Sequence, residues 1–250
     1  MKKFPVALQP YTIRDHLQND FLGALSTVAG IGYTALELGP PPAGITLEQM
    51  KTHLDDLGVR IMGTHASLEQ LQTDLDGVAD FLHQVGGKYV TLSHRFADRA
   101  EVLSCAAEFN RIGEACQQRG IQFLYHNHDW EFVRFDREYA LDLLLENTDP
   151  QNVKLELDVY WVARGGEDPA QFLKKLVGRC PVLHLKDMEA GEEQFFAEVG
   201  EGILNIPDIL QVAEEVGVEW LVVEQDLCRR DPFESIQISL NNLRKLDAVL

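Results

Sequence analysis

Val182-Leu183-His184-Leu185-Lys186-Asp187 is a short apolar run that ends in charge, with an imidazole and an ammonium group two residues apart. That spacing puts both side chains on one face of a strand, so the run delivers His184 and Lys186 toward a common centre. The pattern recurs along the chain. Val153 to Asp158 closes on Glu156-Leu157-Asp158, Trp220 to Asp226 closes on Glu224-Gln225-Asp226, and Ile121 to Tyr125 leads into His126-Asn127-His128-Asp129-Trp130-Glu131. In a (β/α)₈ barrel the carboxyl ends of all strands meet on one face, where side chains from different strands can surround one ion.

Outward from these runs, the chain alternates strand and helix. Four earlier strands are read near Val6–Gln9, Ala35–Leu38, Arg60–Gly63 and Tyr89–Ser93, which with the four above makes eight. Between them lie segments of helical period, such as Leu47-Met50-Leu54-Leu57, Leu68-Leu71-Leu75-Val78-Leu82 and Ile206-Ile209-Leu210-Ala213-Val216. Thr46, Ser67 and Asp168-Pro169 stand where helix starts need caps. Glycine precedes several strands, as in Gly58-Val59 and Gly217-Val218, where a left-handed residue would end the helix. The reading is a single (β/α)₈ barrel over residues 1–250. Gln9-Pro10-Tyr11-Thr12-Ile13 after the first strand is not a dinucleotide-binding glycine turn, which speaks against an open doubly wound sheet. The two longest irregular stretches, Gly39–Gly44 and Glu189–Asn205, follow strands and should lie over the active face.

Composition narrows the partners. With 250 residues, 45% of them hydrophobic and 25% charged, the chain can bury one large core. A formal charge of −18 repels polyphosphate backbones, so nucleic acid is not expected as a partner. The four cysteines, Cys105, Cys116, Cys180 and Cys228, form no Cys-x-x-Cys pair and read as thiols in a reducing, cytoplasmic compartment. Pro5, Gln9 and Pro10 interrupt the first apolar run before a secretory core is complete, and no apolar segment approaches the ~20 residues of a membrane span. A homo-oligomer is left open.

The strand ends carry the chemistry. Glu131, Asp158, His184 and Glu224 each end or follow a separate strand, and three oxygen donors with one imidazole suit Mn²⁺, Mg²⁺, Co²⁺ or Zn²⁺ with positions open for substrate oxygens. Gln9, Tyr11, His65, His94 and Arg95 also stand at strand ends. Ordinary strand-end polarity explains each of them equally well. Trp130, Phe132 and Trp161 offer either an aromatic wall or core packing.

These same residues carry a family resemblance. Leu8–Asp15, Tyr125–Phe132, Glu156–Trp161, Leu183–Asp187 and Val223–Asp226 resemble the corresponding segments of the sugar phosphate isomerase/epimerase superfamily, the xylose-isomerase-like barrels, over essentially the whole chain. The resemblance implies a metal set of Glu131, Asp158, His184 and Glu224, with Mn²⁺ the leading candidate. Many relatives place the first glutamate immediately at the end of strand five. Here that place holds His126-Asn127-His128, so either histidine is an alternative ligand or acid/base. Trp161 stands where many relatives have a histidine, which argues against a multi-zinc nuclease centre and offers an apolar wall for a sugar ring.

The resemblance also implies a reaction. A divalent ion stabilises the oxyanion that develops when a carbon beside a carbonyl loses its proton. Glu131 and Glu224 are expected to serve as ligand or base, His128 as the acid/base of ordinary pKa near ~6.5, and Lys186 as a binder of a substrate oxyanion or hydroxyl. Gln9, His65, His126 and Trp161 complete the expected substrate contacts. Two other readings of Lys186 are a Schiff-base nucleophile and a plain ion pair with Asp187 or Glu156. The leading expectation is an isomerase or epimerase of a small sugar, keto-sugar or cyclitol. The alternative is a lyase or dehydratase on a 3-keto sugar derivative or cyclitol, and a non-catalytic sugar-binding protein stands as the different-class alternative.

Overall fold

The computed structural model describes residues 2–250. Eight parallel strands close into a barrel: β1 (Val6–Leu8), β2 (Ala35–Glu37), β3 (Arg60–His65), β4 (Tyr89–Leu92), β5 (Gln122–His126), β6 (Lys154–Asp158), β7 (Val182–Leu185) and β8 (Trp220–Val223). Each strand pairs with its neighbour in sequence, and β8 pairs with β1 through Leu8 opposite Val223. All eight fall where the sequence places them.

Period-two alternation sorts the strand residues into two cores. Leu155, Leu157, Leu183, Leu185, Leu221 and Val223 face outward into the cluster beneath the helices. Ala7, Ala35, Met62, Tyr89, Leu124, Val182 and Val222 form a separate cluster that fills the barrel interior. Continuing an inward column by two residues toward the carboxyl end replaces an apolar group with a polar one: Val182 leads to His184 and Lys186, Val222 to Glu224 and Asp226, Leu124 to His126, Ala35 to Glu37 and Ala7 to Gln9. The apolar lower layer thus supports a polar upper layer.

Local signals act as expected at most helix ends. Thr46 and Ser67 each form a full capping box, with Gln49 and Gln70, at the starts of Leu47–Leu57 and Leu68–Thr73. Gly58 and Gly217 take φ of +68° and +91°, the left-handed turn needed to leave a helix for a strand. One helical reading changes. The stripe from Leu68 to Leu82 is not one helix: it breaks at Asp74, whose carboxylate accepts from the Gly77 amide at 3.2 Å and starts a second helix, Leu75–Val85. A side-chain acceptor competing with the backbone ladder outweighs a continuous apolar stripe.

Two short ribbons decorate the active face. Arg134–Phe135 pairs with Glu138–Tyr139 after β5, and Asp187–Met188 pairs with Phe196–Ala197 after β7. Asp187 is fully buried and pins the second loop by accepting from the amides of Gly200 (2.9 Å), Gly202 (3.0 Å) and Leu204 (3.1 Å). No helix among the described residues is long and apolar enough to cross a membrane.

Candidate metal centre and active site

Five carboxylates gather at the upper layer: Glu37, Glu156, Asp158, Glu224 and Asp226. The first four are buried and Asp226 nearly so. They surround one ammonium group, Lys186, and three imidazoles, His65, His126 and His184. A buried group of like charges must be compensated. Lys186 Nζ lies 3.0 Å from Asp158 Oδ2, 2.7 Å from Glu224 Oε2 and 2.9 Å from Asp226 Oδ2. Burial opposes its charge, yet the three carboxylates outweigh burial and hold its pKa well above the ordinary lysine value. A lysine so held is an ammonium ion and a poor Schiff-base nucleophile. Its partners are not Asp187 or Glu156, the pairs considered from sequence.

His184 is the hub. Its Nε2 lies 2.9 Å from Glu37 Oε2 and 2.9 Å from Glu156 Oε1, while Nδ1 lies 3.1 Å from Glu224 Oε2. His126 turns Nδ1 to the same Glu156 oxygen at 3.0 Å, which leaves Nε2 on the side of Asp158 Oδ2, 3.8 Å away. His65 Nε2 bridges Glu37 (3.2 Å) and Glu156 (3.1 Å), and Thr91 donates to Glu156 at 2.9 Å.

Two overlapping groups have donor atoms close enough to share an ion: Asp158, His184 and Glu224, and His65, His126, Glu156 and His184. Asp158 Oδ2 is buried and makes no hydrogen bond, being in ion-pair contact with Lys186 only outside hydrogen-bond geometry. A buried carboxylate oxygen with no hydrogen bond, beside a second carboxylate and an imidazole, fits a divalent cation.

Glu131 has other partners in the structure. It is fully buried but stands apart from the other three expected ligands, accepting from the His128 amide at 2.8 Å, with Tyr125 Oη 2.6 Å from Oε1. That hydroxyl also lies 2.7 Å from the His94 carbonyl. One hydroxyl hydrogen cannot serve both acceptors, so the arrangement closes when Glu131 carries a proton and donates to Tyr125. Burial pushes the Glu131 carboxyl up in the same direction, to about 7. It stands in the short helical turn Trp130–Phe132, whose place after the His126-Asn127-His128 segment lets its carboxyl meet the His128 amide.

His128 also departs from expectation. Its ring stacks on Trp130 at 3.9 Å, Nδ1 is buried without a partner, and burial together with the nearby positive groups holds its pKa down to about 2. It is a neutral imidazole that can accept a proton but does not store one at neutral pH, so it is not an acid/base of ordinary pKa. Trp161 packs against Tyr160 and Phe196, 5.6 Å from Lys186 Nζ, behind the cavity wall.

The cavity above this floor is roughly 340 Å³, and its lining includes Gln9, His65, His126, His128, Lys186 and Glu224. Among the expected substrate contacts, Gln9, His65, His126 and Lys186 therefore face one space. Sequence reasoning did not single out Glu37 and Thr91 and gave Glu156 only a minor part. The signal was present in Ala35-Leu36-Glu37-Leu38, a charge inside an apolar strand, and in Glu156 preceding Asp158 by two.

Comparison with known proteins agrees with this architecture. The chain is similar to the inosose dehydratases of Mesomycoplasma hyopneumoniae (28% identity, 89% of this chain and 87% of that protein) and Clostridium beijerinckii (25%, 87% and 86%). A crystal structure of a sugar phosphate isomerase/epimerase from Parabacteroides distasonis superposes with a TM-score of 0.86 at 26% identity, covering 100% of this chain and 99% of that one. Residues 25–246 match the family model, and the chain belongs to the xylose isomerase-like TIM barrel family.

Proposed function

We infer that this chain is a divalent-metal-dependent enzyme that removes a proton beside the carbonyl of a keto-cyclitol or keto-sugar, with loss of water from the neighbouring carbon as the leading outcome. The observation that carries the metal is the convergence of donor atoms of Asp158, His184 and Glu224 within reach of one ion. The names of the curated relatives favour elimination over isomerisation. Isomerisation or epimerisation is the second reading, since it shares the proton abstraction and differs only in where the proton returns.

In this reading Asp158, His184 and Glu224 would hold the ion, with His126 Nε2 in the fourth place in preference to Glu131. An ion held there would supply positive charge against the oxygen of the reacting carbonyl. Glu37 and Glu156 fix the two imidazoles by accepting from the nitrogens that face away from the ion. Lys186 places a fixed positive charge at the cavity wall, suited to a substrate hydroxyl or a developing oxyanion. His128, held neutral and lining the cavity, is placed to hydrogen-bond a substrate hydroxyl, and its low basicity leaves proton removal to a carboxylate of the same wall such as Asp226. Asp226, pushed up to about 6 by burial against the pull of Lys186, is a carboxyl that can return a proton near neutral pH, as water departure requires.

The test is incubation of the Mn²⁺-loaded protein with inososes and keto-sugars in deuterated water. Elimination gives an unsaturated product with loss of water, whereas epimerisation gives an isomer carrying one deuterium. Neither product nor exchange across the panel would remove the proposal.

A further inference from the structure

A second, apolar groove opens directly beside the polar cavity. It is roughly 400 Å³, and its walls include Tyr11, Leu17, Phe21, Leu38, Pro40 and Pro42. The two spaces share Gln9 and Tyr11. Gln9 is fixed where they meet: Nε2 donates to Glu37 Oε2 at 2.9 Å, and Oε1 accepts from the Tyr11 amide at 3.2 Å. Because Gln9 and Tyr11 line both spaces, a ligand larger than one sugar ring that lies against them can touch both.

The groove is held open by fixed parts. Arg14 lies 4.3 Å over the Tyr11 ring, and its Nη1 donates to the carbonyls of Tyr11 and Asp226, both at 2.9 Å. Tyr11 is thereby tied to the segment that follows β8, yet 51% of it is exposed. Pro40 and Pro42 stiffen the opposite side. Rigid apolar walls bind a flat group with little ordering cost. The remainder of the cavity is lined by charged and hydroxyl-seeking side chains, so apolar area beside it has no use for a bare polyol.

We propose that the substrate is a keto-polyol ring carrying a flat, largely apolar substituent such as an aryl group, with the ring above His184 and the substituent against Tyr11 in the groove. This rests on the catalytic reading above for the ring and on the groove itself for the substituent.

The experiment compares 4-nitrophenyl β-glucopyranoside with methyl β-glucopyranoside as unreactive probes on the Mn²⁺-loaded protein, reading affinity and ligand-proton saturation transfer by NMR. The nitrophenyl glycoside should bind about tenfold more tightly, with transfer strongest at its aryl protons. Leu17→Arg and Gln18→Trp, which lie in the groove and outside the polar cavity, should each erase that preference while leaving Mn²⁺ and methyl glucoside binding unchanged. Equal affinity for the two probes, or a preference that survives both variants, would overturn the assignment. So would a dimer in sedimentation that Leu17→Arg dissociates and the aryl probe does not, since the groove would then belong to a second copy. Aryl preference without turnover of any keto-polyol would sink the catalytic reading alone, and turnover without aryl preference would sink this one alone.

Discussion

His184 Nε2 lies 2.9 Å from Glu37 Oε2, joining strands β7 and β2 across 147 residues of sequence. Glu156 Oε1 stands at the same distance from the same nitrogen. With a cation held on the Nδ1 side, that nitrogen keeps its proton between two carboxylates, and the lone pair of Nδ1 is directed to the ion. Glu37→Gln and Glu156→Gln should each weaken Mn²⁺ binding by about 10–100-fold, measured by titration calorimetry. Wild-type affinity in both variants would mean that these carboxylates do not orient His184.

The fourth ligand separates His126 from Glu131. His126→Asn should abolish stoichiometric metal in elemental analysis, as should Asp158→Ala and His184→Ala. Glu131→Gln should retain it. The reverse pattern would restore the glutamate expected from the family resemblance and displace His126.

Glu131 gives a pH signature. Its folded pKa, about 7, is raised above the ordinary carboxyl value, so the folded state binds the proton more tightly than the unfolded one. The resulting stability is fully present below pH ~4.5 and is lost as pH rises through about 7. Relative to Glu131→Gln, the wild type should lose on the order of 3 kcal/mol between pH 4.5 and 8 in urea unfolding. A constant difference between the two proteins across that range would show that Glu131 is ionised in the fold.

Lys186 competes with any ion for Asp158 and Glu224, being within 3.0 Å of both. Lys186→Met should therefore leave Mn²⁺ affinity equal or higher while turnover falls. EDTA should silence the wild type, with recovery on adding Mn²⁺. Activity that survives EDTA and is lost to borohydride in the presence of substrate would make Lys186 a Schiff-base nucleophile.

His128 is expected to act on substrate rather than on the ion. His128→Asn should keep the metal and reduce turnover by roughly tenfold, the order of one lost hydrogen bond to substrate. Because its imidazole is held neutral by burial, no loss of activity from His128 protonation should appear between pH 6 and 8. An inflection near ~6.5 that disappears in His128→Asn would count against this environment.

Much of this protein is determined by period alone. Alternation in Val182–Asp187 and Trp220–Asp226 places His184, Lys186, Glu224 and Asp226 on inward columns, because successive strand side chains face opposite sides and the outward leucines and valines need the helices. Asp158, His184 and Glu224 were legible for that reason: each lies on or immediately after a strand whose direction is known. Glu131 was not, since four residues separate it from His126 and a turn carries no periodicity by which to aim a side chain. Glu37 shows the complementary limit. Its place at the end of β2 is evident from sequence, but its contact with His184 depends on barrel closure and shear, which bring together groups 147 residues apart. The apolar groove is more local, since Tyr11, Phe21 and Pro42 belong to three segments around the paired strands β1 and β2, and only their packing gives them a common wall.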